Sequence, residues 1–108
     1  MRVGDRVLLT SLAGVDGLRD LALAVRDGAL VGLGTRDEVF AARKLCADLD
    51  HVMFVEGSRE EIPWTEAWFD LIFDEQPEAP TREMLRVLKP GGRVEKPPRG
   101  ERVHGGGG

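Results

Sequence analysis

HVMFVEGSREEIPWTEAWFDLIFDEQPEAPTREMLRVLKPGGRV, the stretch from His51 to Val94, decides the fold. His51 to Val55 is a run of apolar and β-prone residues and predicts a strand. Gly57-Ser58-Arg59-Glu60-Glu61 predicts a turn. Ser58 and Glu61 also fit a capping box, but Pro63 would soon end any helix there. Trp68 to Phe73 predicts a second strand, and Pro77 and Pro80 hold a short extended connection. Thr81 to Leu88 predicts a helix with Met84, Leu85 and Leu88 facing inward. Pro90-Gly91-Gly92 breaks it, and Arg93-Val94 begins a further strand.

Working back from His51, the same alternation holds. Arg6 to Leu12 opens with Val7-Leu8-Leu9, which suits a buried strand. Ala13 to Gly17 is a turn, and a helix follows from Asp16 or Gly17 to Asp27. Leu18, Leu21, Ala22 and Val25 fall at i, i+3, i+4 and i+7 and form its apolar face. Ala29 to Leu33 predicts another strand. Thr35-Arg36-Asp37-Glu38 matches a capping box, with a helix running on to about Leu49. Val39, Ala42, Cys46 and Leu49 line its face, with Leu45 beside them. Forward of Val94, Lys96-Pro97-Pro98-Arg99-Gly100 and the four closing glycines carry no core signal. The expected organisation is therefore one domain over residues 1–94 and a flexible Pro/Gly-rich tail over 95–108.

Composition bounds the function. The 108 residues are 42% hydrophobic and 31% charged, an ordinary balance for a small domain. The net charge of −4 argues against a general nucleic-acid binder. Charge is uneven: nine carboxylates between Glu56 and Glu83 face only Arg59 and Arg82, whereas residues 89–104 are basic. Cys46 is the single cysteine, so neither an intrachain disulfide nor a cysteine metal site is expected, and a reducing cytoplasm fits. The N-terminal residues predict a strand rather than a signal segment, and no apolar run approaches the ~20 residues of a membrane span.

Alternating apolar strands and amphipathic helices imply a parallel sheet with helices on both faces. Phe69-Asp70-Leu71-Ile72 followed by Arg86-Val87-Leu88-Lys89-Pro90-Gly91-Gly92 resembles the second half of a class I S-adenosylmethionine (SAM)-dependent methyltransferase domain, of the methyltransferase type 11 kind. The resemblance covers roughly Arg6 to Val94. It implies an α/β, three-layer Rossmann-like fold with a short, mostly parallel sheet of about five strands in the order 3-2-1-4-5. The crevice would then lie at the C-terminal ends of strands 1 and 4. The family's last two strands, which complete a seven-stranded sheet, have no counterpart here.

The resemblance also implies where a cofactor would sit. In that family strand 1 ends in a glycine-rich loop; Leu9 falls at its acidic position, and Ser11, Ala13 and Val15 replace its glycines, with Gly14 and Gly17 nearby. Strand 2 usually ends in an acid that holds the ribose, and here Gly34 occupies that position. Asp37 and Glu38 lie close by, Glu38 in the capping box. After strand 3 the family's Gly-Asp becomes Gly57-Ser58, where Ser58 offers a hydroxyl to a ligand or caps a helix. The candidate cofactor residues are thus Ser11, Ala13, Gly14, Gly34, Gly57 and Ser58. Asp74 and Glu75, after strand 4, are candidates for orienting a substrate amine or hydroxyl, or are simply solvated.

His51 and His104 are too far apart in the pattern to assemble a metal cluster or a triad, and no metal is expected. Cys46 reads as core, and Trp64 and Trp68 as core edge or an aromatic contact surface. Two readings follow. The first is a methyltransferase-like domain that has lost catalysis and acts as a binding or assembly module, its open sheet edge covered in a homodimer or by a partner protein. The second is a divergent SAM-dependent methyltransferase acting on an unknown small molecule or protein. A module for another nucleotide is a third.

Overall fold

The computed structural model describes residues 1–13 and 17–98. Among these residues five strands and three helices follow in the order β1 (Arg6–Leu9), α1 (Leu18–Ala24), β2 (Ala29–Gly34), α2 (Arg36–Leu45), β3 (Val52–Glu56), β4 (Phe69–Phe73), α3 (Arg82–Val87) and β5 (Leu88–Glu95), with no helix between β3 and β4. The sheet order is β3-β2-β1-β4-β5, and every pairing is parallel. The expected α/β fold and strand order hold.

Apolar strands make a sheet that must be covered twice. On one face Val7, Leu9, Leu30, Phe54 and Leu71 pack under α1 and α2, through Leu21, Ala22, Val39 and Cys46. On the other, Leu8, Val31, Leu33 and Ile72 pack under Met84 and Val87 of α3 and under Ile62. Neighbouring residues of β1 thus serve opposite layers, as a period of two requires. Each fully buried Leu, Ile or Phe here contributes about 1.5–3 kcal/mol from burial.

α2 starts where its capping box predicts. Thr35 Oγ1 accepts from the Glu38 N–H, and Glu38 Oε1 accepts from the Thr35 N–H at 2.8 Å. The helix ends at Leu45 rather than near Leu49; one further turn, closed by the Leu49 N–H on Cys46 O, keeps Leu49 on the core. Leu45 itself is 52% exposed. α1 is also shorter than expected, and Val25 caps it while remaining buried.

The second half departs from expectation in three places. First, no helix forms at Ser58. The Ser58 and Glu61 backbones bond each other reciprocally in a tight turn, and the Ser58 hydroxyl accepts from the Glu60 N–H at 3.3 Å. Pro63 leaves no room to continue. Second, Leu85 does not face inward but is 57% exposed. α3 is only six residues long, so its buried face is Met84 and Val87, and Leu88 has already entered β5. Third, Lys89-Pro90-Gly91-Gly92 does not precede the last strand but lies inside it. Phe69 pairs with Leu88 and Leu71 with Arg93, so the intervening residues bulge out. Gly91 takes φ +85°, and a Cβ on Gly92 would meet Asp70 O at 3.0 Å, so both glycines are required.

Asp70 fastens this bulge. It accepts from the Arg6 N–H at 2.9 Å and meets Lys89 Nζ at 3.2 Å, joining β1, β4 and β5. Arg6 lies over the Trp68 ring at 4.4 Å. Trp64, Trp68 and Phe69 form one aromatic cluster at the edge of the core. Cys46 is buried, and burial pushes its thiol pKa up.

Candidate functional site

A cavity of about 970 Å³ opens at the C-terminal ends of the strands. β1 supplies Thr10, Ser11 and Ala13; β2 supplies Gly34 and, through α2, Glu38; β3 supplies residues from Glu56 to Glu61; β4 supplies Asp74, Glu75 and Gln76. Topology explains the convergence. β1 and β4 are adjacent in the sheet but distant in the chain, so their connections diverge and leave a crevice at the switch point.

Of the sequence candidates, Ser11, Ala13, Gly34, Gly57, Ser58, Asp74 and Glu75 all line this crevice. Gly14 lies outside the described residues, as does Val15. The Ser11 hydroxyl folds back to accept from the Ala13 N–H at 3.2 Å, which shapes the loop after β1. Ser58 is exposed, its hydroxyl turned to its own loop.

Asp74 is not a solvated mouth residue. It is 2% exposed, and its carboxylate is filled from four directions. Oδ1 accepts from Thr10 Oγ1 and from Arg59 Nε (3.1 Å); Oδ2 accepts from Arg59 Nη2 (2.9 Å) and from the Gln76 N–H (2.9 Å). Burial is the largest influence on this carboxyl and raises its pKa. The bonds from Arg59, Thr10 and Gln76 together outweigh that, so its pKa ends below the ordinary carboxylate value.

Arg59 and Thr10 are the residues that sequence reasoning missed. Thr10 and Asp74 are the buried polar side chains among the described residues, and they bond each other. Arg59 crosses from the loop after β3 to the end of β4, and also donates to Ala79 O at 2.8 Å. Its own carbonyl accepts from Thr81 Oγ1, the N-cap of α3. Both its backbone and its side chain are therefore fixed. The one available signal was its isolation, as a lone Arg among the carboxylates of residues 56–75.

The crevice is strongly acidic. Six carboxylates line it (Glu38, Glu56, Glu60, Glu61, Asp74, Glu75). Among the described residues lining it, Arg59 alone is cationic, and it is bound to Asp74 and near Glu60. Such a lining repels phosphate and favours a cation. Gly34 carries no acid, but the space is not empty: a Cβ there would meet Glu38 Oε1 at 2.8 Å. Glu38 therefore places a carboxylate at the end of β2 from the first turn of α2.

These features fit the nucleoside and sulfonium parts of SAM. Glu38, Gly57 and Ser58 would flank the nucleoside, with Ser11 and Ala13 close to the rest. When bound, SAM supplies an electrophilic methyl group. The transfer point fits less well, because Asp74 has no oxygen left to orient an acceptor. Among the described residues, no group of three or more His, Cys, Asp or Glu side chains is placed to hold a metal ion. No described helix is long and apolar enough to cross a membrane.

Comparison with known proteins agrees with the fold. The chain is similar to the solved structure of the YcgJ protein from Bacillus subtilis, at 25% identity and a TM-score of 0.60, covering 86% of this chain and 43% of that one. It is similar to a SAM-dependent methyltransferase from Aquifex aeolicus at 23% identity and a TM-score of 0.65, covering 82% and 53%. It is similar to the PH0226 protein from Pyrococcus horikoshii at 24% identity and a TM-score of 0.61, covering 83% and 44%. The chain thus spans about half the length of these proteins. No protein-family model matches it, and no curated protein sequence does. The chain thus has the Rossmann-like fold of a SAM-dependent methyltransferase structure, with its crevice at the sheet's switch point.

Proposed function

We propose that this domain is a binding module: it keeps a crevice for a SAM-like ligand and has lost methyl transfer. The observation that carries this reading is the Arg59–Asp74 ion pair. It lies across the ends of β1 and β4, where donor and acceptor would have to meet, and it takes up both oxygens of the buried carboxylate there. Glu75, the neighbouring candidate, lies exposed beyond it. The likeness to a SAM-dependent methyltransferase and the acidic lining both support SAM over a phosphate-bearing nucleotide.

The test is to incubate the protein with methyl-labelled SAM and a whole-cell extract. The reading expects retention of unreacted SAM on the protein and no protein-dependent transfer of label. Transfer that depends on the protein overturns it.

The cavity volume favours a second reading, a divergent methyltransferase in which Arg59 swings off Asp74 when substrate enters. The assembly part of the proposal concerns β5, which among the described residues is paired on one side only. A second copy or another protein covers that edge. Light scattering should show a particle larger than one chain, and a clean monomer contradicts the homodimer form.

A further inference from the structure

We propose that Glu38 is the residue that reads a ribose in this crevice, in place of a side chain at the end of β2. The inference rests on the proposed binding function and names the residue and the chemical group recognised. In doubly wound sheets, an acid near the end of the second strand accepts hydrogen bonds from ribose hydroxyls. Gly34 has no side chain with which to do so. Its virtual Cβ falls 2.8 Å from Glu38 Oε1 and 3.1 Å from Glu38 Cβ, so Glu38 fills the volume such a side chain would enter.

Glu38 is already held for the task. Thr35 fixes it twice, by its N–H on Oε1 and by its hydroxyl under the Glu38 N–H. Little side-chain entropy remains to be lost on binding. Among the described residues no cation pairs with Glu38 and no donor reaches Oε2, while the side chain lines the crevice. A vicinal diol would give that oxygen its donors. The other lining carboxylates and the tied-up Arg59 set the rest of the ligand: a nucleoside without phosphate.

Calorimetric titration of the full chain with adenosine and with adenine tests this. Glu38→Gln keeps the capping box, because Gln serves at that position as Glu does, so its melting transition should stay close to the wild type. It should lower adenosine affinity roughly tenfold or more and leave adenine affinity unchanged. Asp37→Asn, one residue away and facing another groove, should change neither. Unchanged adenosine affinity in Glu38→Gln, or an equal loss in Asp37→Asn, overturns the ribose assignment. If SAM still binds in either case, the binding function stands without it. Failure of the wild type to bind adenosine, adenine or SAM overturns both.

Discussion

Arg59 and Asp74, 15 residues apart, form a two-pronged ion pair with Nε–Oδ1 at 3.1 Å and Nη2–Oδ2 at 2.9 Å. Asp74 is 2% exposed and Arg59 26%. The pair ties the loop after β3 to the end of β4 across the crevice floor. Removing the cation leaves a buried carboxylate short of donors, the costly half of such a pair. Arg59→Met should therefore destabilise by about 1–3 kcal/mol, with water entry along the part-exposed arginine setting the lower end. In urea unfolding, Asp74→Asn combined with Arg59→Met should cost less than the two singles added. Strict additivity would show the pair to be energetically idle.

The pH dependence has a definite sign. The Asp74 pKa is lower in the folded protein than its unfolded value of about 3.9. Its stabilisation is therefore complete above that value and is lost as pH falls through the folded one. The urea midpoint should stay level between about pH 5 and 7 and fall below about pH 4. In Arg59→Met, burial acts on the carboxyl with fewer opposing donors, so its folded pKa moves up toward or past the unfolded one and the fall below about pH 4 should become smaller or reverse. An acid-side fall as deep as that of the wild type would mean that Arg59 does not hold the carboxyl down.

Restoring an acid at the end of β2 should harm this chain. Gly34→Asp would place its Cβ 2.8 Å from Glu38 Oε1 and 3.3 Å from Leu12 Cβ, and add a like charge beside Glu38. The expected loss is about 1–3 kcal/mol, read as a lowered melting temperature, with no gain in SAM affinity. A tighter, undamaged variant would show that Glu38 yields the space.

The crevice should also sort ligands by charge. SAM carries one positive charge more than its demethylated product, and the six lining carboxylates favour that charge. SAM should bind several-fold tighter, and the ratio should shrink as salt is raised from about 0.01 to 0.5 M, as screening shortens. A ratio indifferent to salt would place the sulfonium away from the carboxylates.

Much of this molecule is legible in its residues. Val7-Leu8-Leu9 and Phe69 to Phe73 announce buried strands, and Thr35 with Glu38 announces the start of α2. The strand order then brings Ser11, Gly34, Gly57 and Asp74 to one crevice, because parallel strands all end on the same side. Side-chain partnership was not legible. Asp74 looks like one more acid in an acidic run, and its burial depends on Thr10, 64 residues away, and on the reach of Arg59. The Lys89 to Gly92 bulge reads as a turn, since its glycines signal a bend and not that β5 continues on both sides of it. Local chemistry sets caps and strands, whereas the fate of a lone charge is set by whatever tertiary structure places beside it.

Whether the crevice binds a SAM-like ligand is decided by calorimetric titration of the intact chain with SAM. Saturable binding at one site is expected and, at 100 times the dissociation constant, stabilisation by about 2.7 kcal/mol in a matched thermal melt. No heat and no shift at millimolar SAM would contradict it.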